Sequence, residues 1–275
     1  MKVSVITVTL NSEKYFSDCI NSVKGQNYKN IEHIVIDGNS TDGTLEIIEK
    51  NSRHISSWIS EKDLGMYDAI NKGIQLATGD IIGILNSDDM FASADSVTSI
   101  VDCFETTQTD SVYGDLIYVD PKNTSKVLRY WKGVSFKRSR FRYGWMPAHP
   151  TFYIRREMIE KYGLYENDYC TAADYEFMTR YLFKHKVSSS YLDEMLVKMR
   201  TGGISNRNFK NRLRANHQDY LAMKKNKIPF SFLVSILKPL IKLPQFKSSY
   251  AKNYAIENEE VHFLQSPLTY VPAES

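Results

Sequence analysis

Apolar and polar positions change their spacing repeatedly along the first hundred residues, and each change marks an element. Lys2–Thr9 (KVSVITVT) is β-branched and apolar throughout, which suits a strand. Asn11 and Ser12 then offer caps for a helix carrying Phe16, Cys19, Ile20 and Val23 at helical spacing. The plan repeats with a strand at Ile31–Asp37 (IEHIVID), a turn-rich Gly38–Gly43 and a helix from Thr44 to about Asn51. Ile55–Ser60 reads as a third strand and Met66–Ala77 as a helix. Ile81–Leu85 is a fourth strand that ends in Asn86-Ser87-Asp88-Asp89. This alternation predicts a doubly wound α/β sheet with helices on both faces.

After residue 110 the runs shorten. SVYGDLIYV and KVLRYW, separated by Asp120-Pro121-Lys122-Asn123, predict a hairpin between Ser111 and Trp131. A strand at Thr151–Ile154, helices at Arg156–Tyr162 and Asp174–Lys184, and a strand at Val187–Val197 follow, so the sheet is expected to become mixed. Beyond Gly202-Gly203, residues 207–227 read as a basic helix. Ile228–Leu243 is apolar but interrupted by Pro229, Lys238, Pro239 and Lys242, too short and too broken to span a bilayer.

Composition narrows the classes. A chain of 275 residues that is 42% hydrophobic and 24% charged has material for one sizeable core or two modest ones. It has no fixed-period repeat, and 13 Gly with 8 Pro exclude collagen-like and low-complexity chains. Cys19, Cys103 and Cys170 form no Cys-x-x-Cys motif, so each is read as a buried thiol in a reducing compartment. MKVSVITVTL lacks the length and cleavage site of a signal peptide and is read as a strand of a cytoplasmic protein. The net charge of +3 conceals an asymmetry, because residues 205–252 hold eleven Lys and Arg against Asp219 alone, leaving 24 bases and 31 acids elsewhere. A basic tail follows an acidic body.

The acids gather where strands end. Asp37 ends the second strand, Glu61 and Asp63 follow the third, and Asp88 with Asp89 close the fourth. In an open α/β sheet the carboxyl ends of the strands form the ligand crevice. Adjacent carboxylates there suit a hard cation such as Mg²⁺ or Mn²⁺, which in turn grips phosphates. Taken alone, Asn-Ser-Asp-Asp is better read as a turn and helix cap. Asp37–Gly43 (DGNSTDG) fails as a calcium loop, which needs Gly where Asp42 stands, and as an aspartate phosphatase motif, which needs Asp where Asn39 stands. Dinucleotide-binding, P-loop and Gly-x-Ser-x-Gly fingerprints are absent.

Four blocks together carry a resemblance to a known family. They are SVITVTLNSEKYFSDCINSVKGQ, EHIVIDGNSTDGT, SEKDLGMYDAINKGIQLATGDIIGILNSDD and AADYEFMTRYL. In order and spacing these resemble the family 2 glycosyltransferases, and most closely the bacterial surface-polysaccharide type that builds O-antigen or capsule. The SEKDxGxYDAxNKG run and Pro147-Ala148-His149-Pro150 are shared with that type. The resemblance implies a GT-A fold, a Rossmann-like three-layer α/β/α arrangement around a mixed sheet. Residues 1–205 would form that domain, with a nucleotide-sugar half at 1–110 and an acceptor half at 111–205. Residues 206–275 would be a basic, amphipathic helical extension.

It further implies an inverting, metal-dependent transferase that moves a hexose or N-acetylhexosamine from a UDP-sugar to a glycan or polyprenyl-linked acceptor. Asp37 would read uracil, and Thr9, Asn11, Asn39, Ser40, Asp68, Asn71 and Lys72 would complete the nucleotide pocket. Asn86-Ser87-Asp88-Asp89 occupies the place of the family's Asp-x-Asp motif, with Asn86 replacing its first acid. Asp89 would ligate Mn²⁺ or Mg²⁺, with Asp88 on the ribose or on the metal through water. Asp174 would be the general base, although Ala173 stands where the family has Glu, and Asp174 equally suits a helix cap.

His149 is read either as facing acceptor, sugar or metal, or as a hydrogen-bonded structural residue, and Arg200 as a diphosphate clamp beside the Gly202-Gly203 hinge. Trp145 is either a sugar platform or core. In residues 206–250, bases accompany Phe230, Phe232, Leu233 and further apolar residues, which suits peripheral attachment to an anionic membrane at its cytoplasmic face. A homo-oligomer contact is the alternative, and nucleic acid is not expected. The competing functions are a nucleotidyltransferase, for which VTLNSEKYF is the wrong loop, and a scaffold that has lost activity.

Overall fold

The computed structural model describes residues 1–169, 172–202 and 209–235. A nine-stranded mixed sheet runs through it, built from β1 (Val3–Thr9), β2 (Ile31–Asp37), β3 (Ser57–Ser60), β4 (Ile81–Ile84), β5 (Met90–Phe91), β6 (Ser111–Val119), β7 (Val127–Trp131), β8 (Tyr153–Arg155) and β9 (Ser189–Arg200). Their order is β3-β2-β1-β4-β8-β6-β9-β5, with β7 added to β6. β1 is parallel to β2 and β4, and β2 to β3. β8 is antiparallel to β4 and β6, while β6 and β9 run parallel. The expected mixed sheet and the hairpin β6–β7 are both present.

Helices α1 (Phe16–Lys24), α2 (Thr44–Lys50), α3 (Met66–Leu76), α4 (Ser96–Thr107), α5 (Arg156–Tyr162), α6 (Ala173–Met178) and α7 (Phe209–Lys225) cover the two faces. One face packs Phe16, Cys19 and Ile20 of α1 and Val97, Ile100 and Phe104 of α4 on the sheet. The other packs Tyr67, Ile70 and Ile74 of α3 with Tyr175, Phe177 and Met178 of α6. Two cores on opposite sides of one sheet make the three-layer arrangement. α3 lies close because Gly73 has no side chain, and a Cβ there would stand 2.4 Å from Ile6 Cγ2.

Several expectations are corrected. The strand expected from Ile55 starts at Ser57, where pairing with Ile34 begins. The helix expected over Asp174–Lys184 is α-helical only to Met178 and continues as a π-helical segment, Thr179–Lys184. Neither Asn11 nor Ser12 caps α1, whose cap position is Tyr15 with no side-chain cap. α4 was missed, although Val97, Ile100, Val101 and Phe104 have helical spacing, because its β-branched residues favour extended structure. Cys19 is buried and Cys103 only half-buried, while Cys170 lies outside the described residues.

Part of the expected basic extension belongs to the core packed on α6. Ala222, Met223, Ile228 and Val234 are buried there. Asn226 Nδ2 donates to Glu176 Oε1 at 3.2 Å, and Glu176 forms a buried ion pair with Arg180 at 3.1 Å.

Candidate functional site

The parallel strands deliver their ends to one edge, where Thr9, Asp37 and Ser60 stand in a single register row. Asp37 is fully buried, and Ser40 N–H and Ser60 Oγ donate to its Oδ2 at 2.9 and 2.7 Å. Ser40 Oγ donates to its other oxygen. Both oxygens are thus engaged in shaping the loop, a task the sequence reading did not give Asp37. That loop exposes Asn39 in a left-handed conformation, φ 68°. Asn11, also left-handed, donates its N–H to Ser40 Oγ at 2.8 Å and accepts Thr41 N–H at 2.9 Å. Ser12 Oγ meets Ser87 Oγ at 2.9 Å, so the loops after β1, β2 and β4 are tied together. Thr9 Oγ1 is buried without a partner.

The run after β3 turns at Gly65, φ 124°, and opens α3. Asp68 Oδ2 accepts Leu64 N–H at 3.1 Å, and Lys72 pairs with Glu61 at 2.8 Å and Asp68 at 3.5 Å. Asn71, expected in the nucleotide pocket, instead points into the second half. Its amide donates to Tyr165 O and accepts Tyr165 N–H, each at 2.9 Å.

The acid loop is clamped between β4 and β9. Asp89 is fully buried, its Oδ2 accepts Asn86 Nδ2 at 2.9 Å, and its Oδ1 has no partner. Burial first, and then the neighbouring Asp88 charge, pushes the Asp89 carboxyl well above the usual carboxylate range. Burial also raises Asp88, with Arg200 opposing. Among the described residues no three His, Cys, Asp or Glu gather as a metal cage. The unsatisfied Asp89 oxygen beside Asp88 nonetheless fits a divalent cation whose remaining ligands are phosphate and water. Arg200 Nη1 donates to Asp88 O at 3.0 Å, its Nη2 pairs with Asp18, and its guanidinium lies 4.6 Å above the Tyr15 ring.

Asp174 sits in the first turn of α6, whose cap position is Ala172, and accepts Tyr175 N–H at 2.7 Å. Its charge reaches the hydroxyls of Tyr67 and Tyr165 and the ring of His149. Tyr118 on β6 feels both Asp89 and Asp174, and burial pushes its hydroxyl up. His149 Nε2 lies 2.9 Å from Tyr165 Oη, and burial lowers its pKa against the pull of Asp174, which keeps the ring neutral at pH 7. Trp145 packs edge-on against Tyr113 and Phe141, at 5.8 and 5.5 Å.

The sequence reading missed Tyr67, Tyr118, Tyr165, Tyr15 and Asp18. Tyr67, Tyr15 and Asp18 lay inside blocks that carried the family resemblance, which was a usable signal, whereas Tyr165 lay in none of the quoted runs. In the basic extension Phe230, Phe232 and Leu233 are 82%, 68% and 55% exposed. Residues 236–250 of the expected membrane surface lie outside the described residues. Among the described residues no helix is long and apolar enough to cross a membrane.

Residues 4–163 match the family described as glycosyl transferase family 2. The chain is 28% identical over 208 residues to the PGL/p-HBAD biosynthesis glycosyltransferase of Mycobacterium tuberculosis (strain ATCC 25618 / H37Rv), covering 74% of this chain and 78% of the relative. It resembles in structure S. aureus TarS 1-349 in complex with UDP-GlcNAc, with TM-score 0.59 and 21% identity over 84% of this chain and 73% of that one. It spans 44% of a longer TarS chain. A mannosyltransferase from Pyrobaculum calidifontis in complex with GDP-Man and Mn²⁺ is similar at TM-score 0.63 and 17% identity, over 97% and 76% of the two chains.

Proposed function

Because the chain belongs to glycosyl transferase family 2 and shares the GT-A fold, we propose that it transfers a hexosyl or N-acetylhexosaminyl group from a UDP-sugar to a glycan hydroxyl with inversion. The observation that carries this reading is the buried Asp89 carboxyl with an unpartnered oxygen, beside Asp88 at the end of β4. The UDP-GlcNAc complex of TarS supports a uridine donor, and the Mn²⁺ complex of the mannosyltransferase supports a divalent metal.

Thr9, Asn11, Asn39 and Ser40 form the wall against the nucleoside, and Asp37 holds that wall in shape. Lys72, with Asp68 and Glu61 beside it, borders the same edge. Asp89 and Asp88 would hold Mn²⁺ or Mg²⁺, which when bound would supply positive charge for the departing diphosphate. Arg200, beside Asp88, contributes a second cation there. Asp174 takes the proton of the attacking hydroxyl, and one displacement by that hydroxyl inverts the anomeric centre. Neutral His149 and the Trp145 edge border the acceptor side.

The exposed Phe230, Phe232 and Leu233 beside Lys224 and Lys227 suit an anionic lipid surface, which would bring a polyprenyl-linked surface-polysaccharide precursor to the site at the cytoplasmic face of a membrane. The test is UDP release from a panel of UDP-, GDP- and dTDP-sugars, with and without Mn²⁺. Metal-dependent release from a UDP-sugar that is lost in Asp174→Asn, with binding retained, is the expected result. Absence of binding to every nucleotide sugar overturns the reading.

A further inference from the structure

We propose that a cavity at the edge of the sheet opposite the acid loop is a second binding site, which takes the phosphoryl group of a small organic phosphate. The proposal stands apart from the transferase reading, because it uses no residue of the nucleotide, metal or acceptor sides described above.

Sheet topology sets the separation. β6 and β9 start side by side, Ser111 against Ser189, and end side by side at Val119 and Arg200. Arg200 meets the acid loop, so the 12 residues of β9 put about 35 Å of strand between that loop and Ser189. At the Ser189 end lies a cavity of about 390 Å³, a volume within the range of small-molecule sites. Phe136, Leu182 and Val187 give it apolar walls, while Arg138 and Lys186 add a guanidinium and an ammonium. Ser189, which also lines it, keeps a buried Oγ without a hydrogen-bond partner, a donor left over for a ligand oxygen.

The cations belong to two segments, residues 137–143 (KRSRFRY) and 184–186 (KHK), which hold six Lys and Arg and no acid. Among the described residues none of these six forms an ion pair. Unpaired cations gathered on one surface attract anions to it. The acid on this edge, Asp110, is already engaged, since its Oδ2 accepts the N–H and Oγ of Ser188 at 3.1 and 2.6 Å.

Both segments are held in place before any ligand arrives. His185 N–H donates to Arg180 O at 2.9 Å and Val187 N–H to Tyr181 O at 3.0 Å, which fixes Lys186 between them in a left-handed conformation, φ 59°. Phe183 packs against Phe141 at 6.4 Å and lies under the Arg138 guanidinium at 5.8 Å, so the ring joins one segment to the other. A preformed site spares the ligand the cost of ordering it. A phosphate monoester carries close to two negative charges at neutral pH and matches the two cations, whereas a carboxylate offers one. The apolar walls suit the body to which the phosphate is attached.

The test titrates phenyl phosphate into the metal-free full chain and follows binding by saturation-transfer NMR. The expected Kd is about 1 mM or tighter at low salt, rising with added NaCl. Arg138→Gln and Lys186→Gln, both at exposed positions, should each weaken binding about fivefold or more, and the double variant should abolish it. Lys50→Gln, an exposed lysine of α2, should leave it unchanged, and inorganic phosphate should compete. Asp89→Asn should also leave it unchanged, which separates this site from the donor site and its fate from that of the transferase reading. Vesicles of phosphatidylglycerol and phosphatidylcholine should sediment the double variant and the parent chain equally. No binding of phenyl phosphate, equal affinity in all the proteins, or an affinity that moves in Asp89→Asn overturns the proposal. So does vesicle sedimentation that falls in the double variant, since the cations would then serve lipid headgroups.

Discussion

Asn71 and Tyr165 form a closed ring of two hydrogen bonds, side-chain amide to main chain, each 2.9 Å long and spanning 94 residues of sequence. This contact joins α3 to the segment leading into α6. Replacing Asn71 with Ala leaves a buried N–H and a buried carbonyl unpaired, so unfolding stability is expected to fall by about 2–4 kcal/mol. Denaturant melts measure the loss. Affinity for Mn²⁺-UDP by calorimetry is expected to stay within about threefold. Lost affinity with unchanged melting would return Asn71 to the nucleotide pocket.

Asp89 has the opposite signature. A buried carboxyl with one oxygen unpartnered, beside the charge of Asp88, costs stability in the metal-free protein. Asp89→Asn is therefore expected to raise the metal-free melting temperature by about 2–4 °C. The same variant should lose metal-dependent binding of UDP-sugar. Scanning calorimetry and titration calorimetry read the two effects, and a lowered melting temperature would show the carboxylate to be structural.

Arg200 uses its fork on Asp88 O and Asp18 while its face covers Tyr15. A lysine cannot make these contacts together. Arg200→Lys is expected to weaken Mn²⁺-UDP binding about tenfold while retaining the fold. Equal affinity in the two proteins would remove Arg200 from the diphosphate site.

Acid stability has a named source in His33, buried in β2 with its Nε2 3.0 Å from Thr7 Oγ1. Burial lowers its pKa from 6.5 to about 4, so it folds neutral. Its contribution is complete above pH 6.5 and is lost as pH falls from there toward 4, about 3 kcal/mol in all. Glu32 adds loss lower down. Although burial opposes it, hydrogen bonds from Lys2, Ser4 and Thr78 hold its carboxyl at about 2, so its contribution fades from pH 4.5 downward. Chemical denaturation between pH 4 and 8 should show the first slope, flattened in His33→Gln.

The local pattern of the sequence determined where most strands and helices lie, because burial on one or two faces imposes a period that neighbouring residues carry themselves. It also placed acids at strand ends, and parallel pairing then set Thr9, Asp37 and Ser60 in one row. What each polar side chain does was decided by tertiary structure. Asp37 is held by Ser40 and Ser60, Asn71 by Tyr165, and Arg200 reaches Asp18 across 182 residues. Tyr67 of α3 is linked to Phe177 of α6 through the ring of Tyr165 only because the sheet brings the two helices to the same face. A hydrogen bond is fixed by distance and direction between partners, and sequence spacing encodes those only within a turn or a hairpin.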